Sequence, residues 1–496
     1  MKLKVKNLNW LAGRPVAILN EITAKKLNVF VDDRVAISNS KFDSKKVYAV
    51  VDIFSKVVKK NEIGLSHELS SILGIKSNSL VEISSSEMSK ATFLIKKKMD
   101  GKSLTKEEIS FLISEIVQNN LTEAEIAYFT AAEKLNGMSK KEVIGLVEAM
   151  VQTGAKISFK GKLIADKHCI GGIAGNRTTP IIISICVAAG LTMPKTSSRA
   201  ITSASGTADV IETIANVEID VKRLKEVVNE TGGCLIWGGS LGLAPSDDKI
   251  ISVERLLNLD IEPQMIASIM SKKISVGSKY LIIDIPYGKG AKVSSIKEAK
   301  KLGNKFKDVA RQFKINFKAV YTDGSQPIGN GYGPVLEMFD VLKVLKNCSD
   351  APRDLRDKAL FLSSELLELC GIKNSKKIAL EILSSGKAYL KFKEIINAQN
   401  NKQDFEKRVS RLKLAKFQKT IYAKKSGKIV SIGNKETNSL CRVLGTPESI
   451  SAGVYLYKHV GNVKKGEPIL TLYSESKSKI KDGLDYMKHF NPIKIK

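Results

Sequence analysis

The 496-residue chain has only four histidines and two tryptophans, and its six cysteines (Cys169, Cys186, Cys234, Cys348, Cys370, Cys441) include no CxxC pair. That scatter fits a reducing compartment and removes the usual spacing of a structural zinc site. His67, His459 and His489 show no ligand-like spacing either, so no metal is expected. No apolar run reaches the roughly 18 uninterrupted residues of a membrane span, and the N-terminal MKLKVKNLNWLAGRP lacks the apolar core and cleavage site of a secretory signal. A cytoplasmic protein without a membrane partner is the expectation. Acidic residues are scarce as well, 51 against 80 Lys and Arg, for a formal net charge of +29. The lysines are spread along the chain with few adjacent aromatics, so a lysine-rich surface explains this charge better than nucleic-acid binding, and no nucleic-acid partner is expected. A positive field would still speed the arrival of anionic small substrates.

What is present reads as an α/β multidomain chain, about three domains at roughly 150 residues each. Residues 1–88 hold short β-type runs (KLKVKNL, RPVAILN, RVAIS, KVYAVVDIF, SLVEIS) between polar turns, a small N-terminal β domain in which nothing reads as a site. Within 89–158, SLTKEEISFLISEIVQ and LTEAEIAYFTAAEKLNG each open on a Ser/Thr cap and carry apolar residues at helical spacing, and SKKEVIGLVEAMVQTG follows in kind. From 159 the order becomes strand, glycine loop, helix: KLIADKH leads through a glycine-rich stretch into PIIISICVAAG, with Pro180 expected at the first helical position. YLIIDIPYGKGAKV and FKAVYTDGSQPIGNGYGPVLEMFDVLKVL repeat that order, which argues for an α/β sheet over 159–249 and 279–414 with its loops gathered at one edge. KSGKIVSI, AGVYLYKHVG and EPILTLYSES then mark a C-terminal α+β domain over 415–496.

Chemistry concentrates in the loops. DKHCIGGIAGNRTTP, Asp166 to Pro180, has no GK[ST] closing a P-loop and does not space its glycines as GxGxxG, so ATP and NAD sites are unsupported and no cofactor is expected. Its glycines would let backbone N–H groups approach an anion at a helix start, with Lys167 and Arg177 adding charge; the alternative is a plain glycine turn. A second loop gathers Thr196, Ser197, Ser198, Arg199, Thr202, Ser203, Ser205 and Thr207 around Gly206, a donor set suited to a phosphate or sugar phosphate. Its alternative is a capped helix start. His168 reads equally as a catalytic or a structural histidine, and Cys169 more as a small buried residue than a nucleophile. In LLNLDIEPQMIASIMSKK, Ser268 and Lys272 fall i, i+4 on one helix face downstream of Asp260; a solvated helix with a capping aspartate is the alternative.

In order along the chain, DKHCIGGIAGNRTT, PKTSSRAITSASGTAD, ASIMSKK, IPYGKGAK and TDGSQPIGN resemble the thymidine phosphorylase superfamily, in particular its long branch with an extra N-terminal domain, which includes the AMP phosphorylases. The resemblance runs from about Ser103 into the C-terminal domain. It implies a helical domain, 89–158 with 250–278, packed across a cleft from a mixed-sheet α/β domain, and a homodimer or larger homo-oligomer. It also implies phosphorolysis: phosphate attacks C1′ of the ribosyl group and the base leaves. Carried over residue by residue, Lys167, Ser197 and Thr207 would hold phosphate. Gly172, Ser198, Arg199, Ala200, Ile201, Thr202, Ser203, Thr207, Ser268 and Lys292 would hold the nucleotide. Asp260 would protonate the leaving base, and His168 and Lys272 are further site candidates. Cys169 departs from the serine common in the short thymidine phosphorylases, and Val253 stands where those have a pyrimidine-reading arginine, with Arg255 two positions away. Together with the Arg199 loop and the basic field, this favours AMP, giving adenine and ribose 1,5-bisphosphate, over thymidine. The reaction requires no metal.

Overall fold

The computed structural model describes residues 1–8, 10–39, 46–85, 89–159, 163–200, 203–257, 259–401 and 404–496. Alternating buried and exposed residues in the first strand set up a closed β structure. Strands β1 (Lys2–Asn7), β2 (Val16–Asn20), β3 (Arg34–Asn39), β4 (Val47–Phe54), β5 (Glu62–Leu65) and β6 (Leu80–Ser85) form a barrel in the order β1-β5-β2-β4-β3-β6, with helices α1 (Glu21–Leu27) and α2 (His67–Leu73). Closure leaves no exposed sheet edge. Leu3, Leu19, Ile37, Ile63 and Leu65 lie in its core.

Helices α3 (Lys90–Met99), α4 (Lys106–Val117), α5 (Glu123–Asn136) and α6 (Lys140–Thr153) follow. Thr105 and Thr122 cap α4 and α5, each in a capping box with Glu108 or Glu125, a device of about 1 kcal/mol per cap. Sequence periodicity did not separate α3, because a lysine takes one of its inward positions. Lys98 is buried there, 2.8 Å from the buried carboxylate of Glu142 on α6.

The next stretch builds a parallel sheet. β7 (Ala165–Cys169), α7 (Thr178–Ala188), β8 (Met193–Ser197), α8 (Thr207–Glu212), α9 (Val221–Thr231) and β9 (Gly233–Trp237) precede α10 (Pro245–Leu257) and α11 (Glu262–Ser275); β10 (Tyr280–Tyr287), α12 (Ile296–Gln312) and β11 (Asn316–Asp323) complete it. Strands pair as β11-β10-β7 and β8-β9, and a parallel bridge between Ile164 and Thr192 links the two sets. A mixed sheet was expected here; every pair is parallel, because the strands within each half are joined through helices. α7 begins at Thr178, which puts Pro180 at its third residue rather than its first. Contacts group Met1–Thr153 with Pro245–Gln264 as one compact unit and Gly154–Ala244 with Met265–Lys496 as another.

The remainder of the second unit comprises β12 (Gly331–Tyr332), α13 (Pro334–Leu345), α14 (Arg353–Leu369), α15 (Ser375–Ser384), α16 (Lys387–Gln399), α17 (Phe405–Val409), β13 (Phe417–Tyr422), β14 (Gly427–Ile432), α18 (Asn434–Leu444), β15 (Gly453–Leu456), β16 (Gly461–Val463), β17 (Pro468–Ser474), α19 (Lys477–His489) and β18 (Ile493–Ile495). β12 joins the C-terminal strands in the sheet β12-β15-β17-β13. The apolar side chains of α7, α13, α14 and α16 cover the parallel sheet in one large core. Among the described residues no helix is long and apolar enough to cross a membrane.

Candidate active site

Strand β7, ADKHC, brings charge into a buried sheet. Side chains alternate along a strand, so Asp166 and His168 face one side and Lys167 and Cys169 the other. On the first side the Asp166 carboxylate lies 2.7 Å from Lys273 Nζ of α11 and 3.1 Å from Lys195 Nζ of β8, all three side chains being at most 4% exposed. Burial works to raise the Asp166 carboxyl, but the two ammonium groups overcome it and hold it below the usual carboxylate range. Burial, and then the charges of Lys195 and Lys273, drive His168 well below the ordinary imidazole value. His168 is therefore neutral at pH 7.

On the other side, Asp284 of β10 lies 3.1 Å from Lys358 Nζ and accepts a 2.6 Å hydrogen bond from Thr322 Oγ1. Lys167, in the field of both Asp284 and Lys358, donates to Thr178 Oγ1 at 3.0 Å where α7 begins. Burial lowers its ammonium, with Cys169 and Asp284 opposing. Asp166 therefore pairs with both Lys195 and Lys273, and Asp284 pairs with Lys358 while Lys167 lies in its field. Buried cations in excess of their counter-charges are costly unless an anion joins them. The strain shows at Lys273, which burial pushes below the usual lysine range even with Asp166 beside it.

The loops at the C-terminal ends of these strands supply the rest. Numbered along the chain, the five parallel strands lie in the order 3-2-1-4-5, so connections leave β7 and β10 in opposite directions. In such sheets the crevice at this switch point is where ligands bind. Gly171 and Gly172 are both left-handed there, with φ of 87° and 89°. A Cβ on Gly172 would come within 2.9 Å of Lys292 Cγ and 3.3 Å of Lys292 N, so only glycine lets the β7 and β10 loops meet. At the end of β8, Thr196 Oγ1 and Ser197 Oγ are buried without a hydrogen-bond partner among the described residues, the condition of donors awaiting a ligand.

Two arginines expected to greet an anion are already engaged. Arg177 donates from Nε to Glu337 at 2.7 Å, from one terminal nitrogen to Thr207 Oγ1 at 2.8 Å and from the other to the Ser205 carbonyl at 2.9 Å. Glu337 also accepts from Ser205 Oγ. Arg177 is thus a buried tie between loops rather than a free cation. Arg199 is bound by Glu212 and, at 2.8 and 3.4 Å, by Glu218 and Asp209, and stacks 4.9 Å over Trp237. The helix after this loop is capped by no serine or threonine: Gly206 stands at the N-cap of α8, and Asp209 receives the amides of Gly206 and Ala200.

Gly172, Ser197, Ser198, Arg199, Ala200, Ser203, Thr207 and Lys292 thus share the loop edge of β7, β8 and β10, with Lys167 buried within β7; Ile201 and Thr202 lie outside the described residues. Ser268 and Lys272 sit on α11, and Lys272 lends its charge to the field at His168. Asp260 precedes α11 in the first unit, where its backbone carbonyl accepts from Lys134 Nζ at 2.9 Å. Cys169 is no thiolate nucleophile, since burial pushes its thiol up to about 11. Sequence reasoning passed over Lys195, Lys273, Asp284, Glu337 and Lys358. Their signal was there in part: an ionisable residue inside an apolar strand, as in YLIIDIPY and MPKTS, requires a buried partner.

Residues 93–154 match the family described as "Glycosyl transferase family, helical bundle domain", and residues 161–389 match "Glycosyl transferase family, a/b domain". The chain belongs to this glycosyl transferase family. Within it, the chain is 38% identical to the AMP phosphorylase of Methanococcoides burtonii over 99% of its own length and 97% of the relative's. It is 39% identical to the AMP phosphorylase of Pyrococcus furiosus, over 100% of its own length and 98% of that protein's. Among solved structures, anthranilate phosphoribosyltransferase from Thermus thermophilus shares the fold, with a TM-score of 0.53 and 16% identity, covering 63% of this chain and 99% of that one.

Proposed function

We propose that this protein is a pentosyltransferase that splits AMP with inorganic phosphate into adenine and ribose 1,5-bisphosphate. The observation that carries the reading is the pair of buried carboxylates beneath the loop edge, Asp166 paired with Lys195 and Lys273, and Asp284 paired with Lys358 in the field of Lys167. Full-length similarity to AMP phosphorylases supports the choice of nucleotide over thymidine. In this reading Lys167, Ser197 and Thr207 hold phosphate. Gly172, Ser198, Arg199, Ala200, Ile201, Thr202, Ser203, Thr207, Ser268 and Lys292 hold AMP.

A phosphate oxygen forms the new bond to C1′ as the N9–C1′ bond breaks, and the departing electron pair stays on adenine. Asp260 delivers a proton to the base, which makes it a better leaving group. Neutral His168 can orient substrate by hydrogen bonding without competing as a proton source, and Lys272 adds positive field. The chemistry calls for no cofactor. A cytoplasmic homodimer or larger homo-oligomer, without nucleic-acid or membrane partners, completes the reading.

A panel of nucleosides and their 5′-monophosphates, assayed with phosphate, tests it. Adenine release from AMP is expected. Release of thymine from thymidine alone would overturn the substrate, and inactivity on the whole panel would overturn the reaction.

A further inference from the structure

Helix α18 reaches both substrate loops from far downstream in the chain. Asn434 Oδ1 accepts from the Ala174 amide at 3.1 Å, across 260 residues, and its Nδ2 donates to the Gly324 carbonyl at 3.0 Å. One turn on, Asn438 Oδ1 accepts from the Ala204 amide at 3.0 Å, across 234 residues. The two asparagines are i, i+4 on one face and are 0% and 6% exposed. An asparagine offers an acceptor and a donor from one side chain, which is what a helix needs to hold an amide of one loop and a carbonyl of another.

The same face continues to Cys441, whose sulfur lies 3.5 Å from the Tyr332 carbonyl. The Tyr332 ring in turn leaves no room for a Cβ at Gly175, which would sit 2.7 Å away. Ala174 and Ala204 are buried in the same apolar core as Leu440 and Leu444 of this helix. A Cβ on Gly324 would come within 2.9 Å of Ile173 Cδ1 and 3.1 Å of Ala291 Cβ, so the chain after β11 packs closely against both the β7 and the β10 loops.

We propose that α18 is a clamp that sets the loops after β7, β8 and β11 in one register, with Asn434 and Asn438 as positioning residues for substrate. This rests on the assignment of the Gly172 and Ser198–Ser203 loops to AMP. Without its asparagine, a buried loop amide is left unsatisfied, and the loop shifts to find another partner. Asn438 holds the β8 loop at Ala204, while Ser197 is kept in place by the pairing of β8 with β9 and Thr207 by Arg177. Loss of Asn438 therefore falls on the nucleotide, whereas loss of Asn434 disturbs the β7 and β11 loops at once.

The experiment measures KM for AMP and for phosphate, together with amide hydrogen exchange in the absence of substrate, on wild type, Asn438→Ala, Asn438→Asp and Asn434→Ala. Asn438→Ala is expected to raise KM for AMP about tenfold, with KM for phosphate and kcat within about threefold. Exchange should quicken at Ala204 in that variant, and at Ala174 in Asn434→Ala. Asn438→Asp keeps the accepting oxygen and should return KM for AMP to within about threefold of wild type. Unchanged KM and exchange in folded Asn438→Ala would overturn the clamp, as would an equal rise in both KM values. If wild type releases no adenine from AMP, the proposed reaction fails, and the exchange data alone decide the clamp.

Discussion

Lys273 Nζ and the Asp166 carboxylate lie 2.7 Å apart, and each side chain is 2% exposed. With Lys195 on the same carboxylate, this single acidic group holds two cations inside the protein. Asp166→Asn leaves both without a counter-charge and should cost about 3–5 kcal/mol of stability in urea unfolding. The pH dependence follows from the direction of the shift. Asp166 titrates lower folded than unfolded, so its contribution is present above about pH 4 and is lost as pH falls through the lower folded value. The variant should lack that part of the acid destabilisation.

Lys167 makes the corresponding prediction at high pH. Burial sets its ammonium below the ordinary 10.5, so the charge is lost as pH rises through that lower value. The kcat/KM for phosphate should decline on the alkaline side before pH 10.5 is reached. In Lys167→Met that limb should vanish, with KM for phosphate raised roughly 100-fold, as steady-state kinetics across pH can measure.

Asp260→Asn keeps the size of the side chain and removes the transferable proton. Turnover should fall by roughly 100- to 10,000-fold, while KM for phosphate stays within about threefold. A near-normal kcat would remove Asp260 from proton transfer.

Cys169, with its thiol pushed up to about 11, should resist alkylation at pH 8, and the exposed Cys348 should react first when followed by mass spectrometry. Replacing the thiol by a stronger hydroxyl donor in Cys169→Ser should lower KM for phosphate about two- to fivefold. A rise instead would show that the thiol fills space rather than standing in for a ligand contact.

Much of the scaffold was legible beforehand. The helices after Thr105 and Thr122 were readable from a Ser/Thr cap followed by apolar residues at helical spacing, both local signals. The strand, glycine loop and helix order around Asp166–Pro180 was readable for the same reason: backbone conformation follows local sequence. Helix α3 was not separated, because Lys98 fills an apolar position and its partner Glu142 lies 44 residues away.

The sequence by itself determined the alternating strand, loop and helix grammar, the two glycine- and hydroxyl-rich loops and the resemblance that assigned them a reaction. Tertiary structure decided which charges those loops have free. Arg177 and Arg199 looked like cations for an anion until Glu337, Glu212 and Glu218 were found holding them, while Lys195, Lys273 and Lys358 emerged as the buried positive charge beneath the site. The reason is one of range. Helix and strand periodicity is written in neighbours three or two residues apart, whereas an ion pair or a hydrogen bond forms only where chain crossings bring groups within about 3 Å. Asn434 meets Ala174 across a separation of 260 positions, and no local pattern announces that encounter.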